Sequence, residues 1–319
     1  MNRNTGIFVA ALLLAFPCAP AMADDFPTKT IRVINQFGAG GGADLTARPI
    51  LEKLQVALGR PVIMDNKPGG GGVIAAVELE KADPDGHTLL IDTQTLSVNT
   101  VLRKVSYKHS EWEPIALFSL IPLALLASQE LPANNLRELI EYAKKESGKL
   151  TYGTLGPGTA SHLAGLRFEQ VTGTKLLPVP YKSTNDAHQD LLGKRLDLFF
   201  DGISQALPRA QAGTLKMFGV ASNERLAIAA EFPTIREQGV DLVSAAWFGL
   251  VAPKGTPKAV IDRLSEEVNK ITSSAEYQDR LKKIGVLPMT LRSAEFAEFR
   301  RKDLALWSDV IKTSGLRLD

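Results

Sequence analysis

Apolar positions along this chain switch repeatedly between two spacings. IRVINQF (31–37) is a short apolar run with the look of a strand. In LTARPILEKLQVAL (45–58) Leu51, Leu54 and Leu58 recur on one helical face, and Gly59 ends the pattern. PVIMDN (61–66) reads as a second strand. The run Gly69 to Gly72 leads into the helical VIAAVELEKA, closed by the turn Asp83-Pro84-Asp85-Gly86, and TLLID (88–92) is a third strand. EPIALFSLIPLALLAS (113–128) carries the chain past Pro122 into a second series: helix LRELIEYAKKE, strand LTYGTL, helix SHLAGLRFEQVTG, strand LLPVPY, helix NDAHQDLLGK, and strands LDLFFDG and LKMFGVA. WFGLVAPKGTP (247–257) reads as a strand and exit loop. Three helical segments follow, with no strand predicted among them.

Strands alternating with helices in this way predict an α/β protein with mainly parallel sheets flanked by helices. The tail helices have no sheet of their own and must pack on one built earlier. The chain is therefore expected to form a discontinuous first domain, residues 24–124 plus 249–319, with a second domain, 125–248, inserted into it. Its two crossings, near Leu120 to Leu125 and Trp247 to Leu250, would act as a hinge closing two lobes around a ligand.

The first 23 residues stand apart. Arg3 precedes the 11-residue apolar run Gly6 to Phe16, and Ala21-Met22-Ala23 supplies a small-x-small cleavage site. The run is shorter than the ~20 apolar residues of a membrane span, so a secretory signal cleaved after Ala23 is expected. The single cysteine, Cys18, leaves with it, so the mature chain is expected to rely on its core rather than on a disulfide. Lysine plus arginine number 37 against 35 acidic residues, interspersed along the chain, which provides no basic field for nucleic acid.

Gly38-Ala39-Gly40-Gly41-Gly42-Ala43 fits the dinucleotide pattern G-x-G-x-x-A, and Asp65 lies 22 residues beyond Ala43, where a ribose-binding acid would stand. This supports an alternative, an NAD(P)-dependent oxidoreductase. Pro49, expected to interrupt the helix that follows, and export from the cytosol weigh against it. The physical content of the turn is more general: small residues admit a ligand to the backbone, and the first amides of the following helix suit any anion, carboxylate included. Asp44 is expected as the helix N-cap. TYGTLGPGTASHLAG (151–165) repeats the device, with Gly156 and Gly158 opening the backbone and Thr154, Thr159 and Ser161 adding hydroxyls. Two such turns, one per lobe, would grip a carboxylate.

Ser161-His162 lacks a nucleophile elbow, so His162 is expected to pack or hydrogen-bond near the site. His87, His109 and His188 have no second ligand at metal spacing, and neither metal nor cofactor is expected. Asp197 is expected at the surface. Asp201 sits at a strand's C-terminal end, where open α/β sheets bind ligands. It would either accept a hydrogen bond from a ligand's amino or hydroxyl group or cap the helix beginning near Ser204.

With both turns in view, the chain resembles the periplasmic solute-binding receptors of tripartite tricarboxylate transporters, also called Bug or TctC-type receptors. IRVINQFGAGGGAD, RPVIMDNKPGGGG, DPDGHTLL, TYGTLGPGTASHL, VPYKSTNDAHQDLLGKRLDLFFDG, FPTIREQGV and WFGLVAPKGTP carry the resemblance, in family order. It implies a two-lobed Venus flytrap, without catalysis. Such a receptor clamps a small organic acid (a mono-, di- or tricarboxylate, an acidic amino acid or an aromatic acid) and delivers it to membrane permease subunits or presents it to a sensory partner. It is expected to be a monomer. The resemblance implies that Phe37, Gly38, Ala39, Gly40 and Gly41 hold the carboxylate together with Thr154, Gly156, Gly158, Thr159 and Ser161. Thr93 and Gln94, in the turn Asp92 to Leu96, and Asp201 form the other walls. Gln36 departs from the family pattern, standing where proline is usual, and Ser183 and Thr184 replace a common glycine.

Overall fold

The computed structural model describes residues 26–316. The expected export signal and its cleavage site lie outside them. Among the described residues, ten strands join one continuous sheet in the order β2-β1-β3-β9-β4-β7-β5-β6, with β10 and β8 (Lys216–Val220) also paired to β4. Parallel pairing holds at the two ends, where β1 (Ile31–Asn35) lies between β2 (Val62–Asn66) and β3 (Thr88–Asp92), and β5 (Thr151–Thr154) between β6 (Leu177–Pro180) and β7 (Leu198–Gly202). The centre is antiparallel, so the sheet is mixed.

The central strand β4 (Glu113–Ala127) belongs to both lobes. Its first part, Glu113 to Pro122, pairs with β9 (Ala245–Ala252), and its last, Leu123 to Ala127, pairs with β7. A 15-residue strand is long for a globular protein. Pro114 is accommodated at a register shift on the β9 side, between Pro114 and Ala116, a second shift lies between Leu117 and Ser119, and Pro122 stands at the end of the β9 ladder opposite Ala245.

Each lobe buries both faces of its sheet. In the first, Ile31 and Val33 pack with Ile50 and Leu54 of α1 (Gly42–Leu58) and with Leu264 and Val268 of α8 (Lys258–Thr272). On the opposite face Ile34, Leu90 and Val251 meet Ala75 and Leu79 of α2 (Val73–Glu80) and Phe296 of α10 (Ser293–Ser314). In the second lobe Tyr152 and Phe200 pack with Leu139 of α4 (Leu136–Lys145) and Phe168 of α5 (Ala160–Thr172). Leu126 and Phe199 meet Ala187 of α6 (Thr184–Leu192) and Ala206 of α7 (Ile203–Gln211) on the other side. Each Val, Leu, Ile or Phe among them contributes about 1.5–3 kcal/mol when fully buried.

A smaller cluster spans the lobes. Val98 and Leu102 of α3 (Gln94–Leu102) and Trp307, Val310 and Ile311 of α10 enclose Leu163 of α5.

Three expectations are corrected. The tail does contain a strand, β10 (Leu287–Arg292), antiparallel to β4 after α9 (Ala275–Lys282); the alternation of Leu287, Met289 and Leu291 was its signal. Residues after Asp92 form the helix α3 rather than only a turn. Pro49 does not interrupt α1, which runs unbroken for 17 residues with Pro49 buried inside it. Proline removes one backbone donor, and here burial against the sheet outweighs that loss.

Candidate ligand-binding cleft

Between the lobes lies a cavity of about 290 Å³ whose wall includes the first glycine turn (Phe37 to Ala43), Thr93 to Thr95, Leu155, Thr159 to Ser161, Lys182 to Asn185, and Phe199 to Gly202. Ile121, Leu123 and Trp247 of the crossing strands, with Phe248, make its apolar part.

The first turn is held open from beneath by three polar side chains. Asn35 Oδ1 accepts from Phe37 N–H at 3.1 Å, Asn66 Nδ2 donates to the Phe37 carbonyl at 2.8 Å, and Asp44 Oδ2 accepts from Gly40 N–H at 2.6 Å. The N-cap of α1 is Gly41, not Asp44, which sits in the first turn, buried, and also pairs with Arg48 at 3.2 Å. Asp44 thus braces the turn, using the Gly40 amide, while the first amides of α1 have no intrahelical acceptor. Gly42 sits where a Cβ would lie 2.7 Å from Ile121 Cδ1, so a side chain there would push apart the helix start and the crossing strand. Phe37 stands edge-on to Phe248, centroids 6.2 Å apart.

Behind this turn, Gln36 Nε2 donates to Thr93 Oγ1 at 2.7 Å. The Thr93 oxygen therefore already accepts, and its own proton is left to turn toward the cavity. Gln36 in turn fits because Gly72 has φ +90° and no side chain; a Cβ there would lie 2.0 Å from Gln36 Oε1 and 2.7 Å from Leu96 Cδ2. The run Gly69 to Gly72 is thus a close-packed support. Gln94 clasps β9 with both ends of its amide: Nε2 donates to the Ala245 carbonyl at 3.3 Å and Oε1 accepts from Trp247 N–H at 3.2 Å.

Beneath α3 is a buried charge cluster that sequence reasoning missed. Asp92 contacts His109 Nε2 at 2.9 Å and Arg300 Nε at 2.9 Å, and accepts from Thr93 N–H at 2.8 Å. Burial alone would raise the Asp92 carboxyl, but His109 and Arg300 hold it below its ordinary value. Burial, opposed by Asp92 and reinforced by Arg300, lowers the His109 imidazole from its ordinary value.

The second turn differs from the first. Leu155 N–H donates to Ser161 Oγ (3.1 Å), Gly156 N–H to Thr154 Oγ1 (3.2 Å) and Gly158 N–H to His162 Nδ1 (3.2 Å), while Thr159 Oγ1 donates to the Gly156 carbonyl (2.6 Å). Most of its donors close the turn itself. Ser161 and Thr159 reach the cavity wall; Thr154, Gly156 and Gly158 do not. His162 packs near the site as expected, parallel to Tyr152, with burial pushing its imidazole down to about 4, which matches its role as acceptor.

Of the other singled-out residues, Phe37 to Gly41, Thr93, Gln94 and Asp201 all line the cavity. Asp201 does not cap α7, whose N-cap is Gly202 without a side-chain bond; it contacts His188 at 2.8 Å. Asp197 is half-buried rather than a surface residue, accepting from Thr151 N–H and Oγ1 at 2.7 and 2.8 Å. Asp65 is occupied with Arg32, at 3.0 Å, in a cluster with Glu78 and Lys67, and lies outside the cavity wall.

Comparison with known proteins now decides the class. The model of the tripartite tricarboxylate transporter family receptor matches residues 46–316. The chain belongs to that family. Among solved structures similar to this receptor is the periplasmic binding protein BugD, with 32% identity and TM-score 0.83, covering 92% of this chain and 99% of that one. Rpa4515 of R. palustris with adipate shows 29% identity and TM-score 0.86, covering 92% and 99%. MatC of Rhodopseudomonas palustris with bound malate shows 30% identity and TM-score 0.82, covering 90% and 100%. The receptor has the two-lobed fold of periplasmic binding proteins and is a solute-binding protein rather than an enzyme. The oxidoreductase alternative falls, and the placement of Asp65 in a charge cluster agrees with that.

Proposed function

We propose that this receptor captures a small organic acid between its lobes outside the cytoplasmic membrane and delivers it to the permease subunits of a tripartite tricarboxylate transporter. The observation that carries the reading is a single cavity walled by the amino-terminal turns of two helices, α1 from the first lobe and α5 from the second. A carboxylate placed there meets the first amides of both helices, the Thr93 hydroxyl and the hydroxyls of Thr159 and Ser161, while its carbon chain lies along Ile121, Leu123 and the phenylalanines. The solved neighbours with bound malate and with adipate support this class of ligand.

Each lobe supplies part of the grip, so the ligand favours the closed arrangement only through contacts it makes to both. In this reading residues 24–124 with 249–319 and residues 125–248 are the two moving bodies, β4 and β9 are the hinge, and the mature monomer begins after Ala23 in the periplasm.

The test is a thermal-shift and calorimetric screen of the mature chain against mono-, di- and tricarboxylates. A ligand at 100 times its dissociation constant should add about 2.7 kcal/mol of stability. Binding of none of these acids, with saturable binding of an uncharged or cationic solute in the same cleft, would sink the reading.

A further inference from the structure

The wall of this cavity contains a carboxylate, which is an unexpected group in a site for acids. Asp201 lies near the end of β7, paired through the backbone with Ala124 of β4, and is 5% exposed. Behind it stands His188, carried on the inner face of α6, 1% exposed and edge-on to Phe199. His188 Nε2 is 2.8 Å from Asp201 Oδ2, but off the line of a hydrogen bond. Asp201 Oδ2 and both ring nitrogens of His188 are buried without a hydrogen-bond partner among the described residues. Buried polar groups are nearly always satisfied, and a carboxylate without a hydrogen-bonded protein partner in a cavity wall points to a partner that arrives with the ligand.

Resting on the reading of the cleft as a carboxylate site, we infer that Asp201, positioned by His188, accepts a hydrogen bond from a donor on the ligand, so the receptor selects hydroxy or amino acids over plain carboxylic acids. A plain acid leaves Asp201 unpaired and adds a second negative charge to the same cavity. A ligand bearing a hydroxyl or ammonium group near its carboxylate supplies the missing donor. Ser204 and Gln205, in the first turn of α7, also line the cavity.

His188 has a defined effect in this arrangement. The ring stands against Asp201 Oδ2 from behind and restricts rotation of the carboxylate, which holds Asp201 in place toward a donor on the ligand. With a small side chain in place of His188, the carboxylate is free to turn and the preference for a donor-bearing ligand weakens.

Calorimetric titration with a matched four-carbon series, succinate, malate and aspartate, tests this on the unmodified protein. Malate, aspartate or both are expected to bind at least about 10-fold more tightly than succinate, as for one buried polar group satisfied or left unpaired. Equal binding of all three overturns the inference while leaving the carboxylate reading intact. Binding of none of them, nor of adipate or citrate, removes both. Asp201→Ala is expected to bring the three affinities together. His188→Ala is expected to narrow the preference for malate or aspartate over succinate, whereas His188→Gln, which still fills the space behind Asp201, keeps most of it. A preference over succinate unchanged in a folded His188→Ala protein refutes the positioning role.

Discussion

Asp303 on α10 links the cleft wall to the cluster that joins the lobes. Its carboxylate accepts from the indole N–H of Trp247, which lines the cavity, at 2.9 Å, and from that of Trp307, which packs between the lobes, at 3.1 Å. Burial raises its carboxyl from 3.8 to about 6, with the negative charge of Asp92 adding to the shift and the two indoles opposing it. The native state therefore holds this proton more tightly than the unfolded chain. The stabilisation is present in full below about 4 and is lost as pH rises through about 6. A shift of about two units at 1.36 kcal/mol each sets a ceiling of about 3 kcal/mol; part of the side chain still sees solvent, so about 1–2 kcal/mol is expected.

Asp303→Asn is the informative perturbation, because its amide imitates the protonated acid at every pH. Stability should be measured by urea denaturation followed by circular dichroism at pH 4.5 and 7.5, for both proteins. Between those values the variant should gain about 1–2 kcal/mol relative to the native protein, whatever constant offset the substitution introduces. His162 works in the opposite direction, since its imidazole is depressed to about 4 and its contribution is lost as pH falls. That contribution is common to both proteins and cancels in the difference. A difference that is flat with pH, or that favours the native protein at pH 7.5, refutes the assignment.

Other outcomes follow from the same geometry. Gly72→Ala forces a side chain into a left-handed backbone against Gln36 and Leu96, and should cost about 2–4 kcal/mol in denaturant while weakening ligand binding through the displaced Gln36–Thr93 bond. Thr93→Val should lower affinity for a carboxylate ligand about 10-fold by calorimetry, and Thr93→Ser should restore most of it, because the hydroxyl rather than the methyl group is the donor. Ligand binding should change the intrinsic fluorescence, and Trp247→Phe should remove most of that change; a signal that persists would assign it to Trp112 or Trp307 instead.

The alternation of strands and helices and the two glycine turns were legible in the sequence because backbone sterics, helix period and turn chemistry act over a few residues, while the family resemblance implied the place of Phe37 to Gly41 in the cleft. The same locality explains the errors. β10 shows the right alternation, yet its pairing depends on Leu117 and Leu120 of a strand more than 150 residues away, and Pro49 reads as a helix breaker until its burial is known. Gly156 and Gly158 look like open amides, and only the positions of Thr154 and His162 turn those amides inward.

The sequence by itself determined the α/β class, the family and the first glycine turn, which lines the cavity. The tertiary structure decided that β4 is shared between lobes, that Gln36 reaches Thr93 across 57 residues, that Gln94 reaches β9 across 151, and that His188 stands behind Asp201. Those contacts join residues with no local pattern in common. They depend on which faces pack together, and packing is a property of the whole chain.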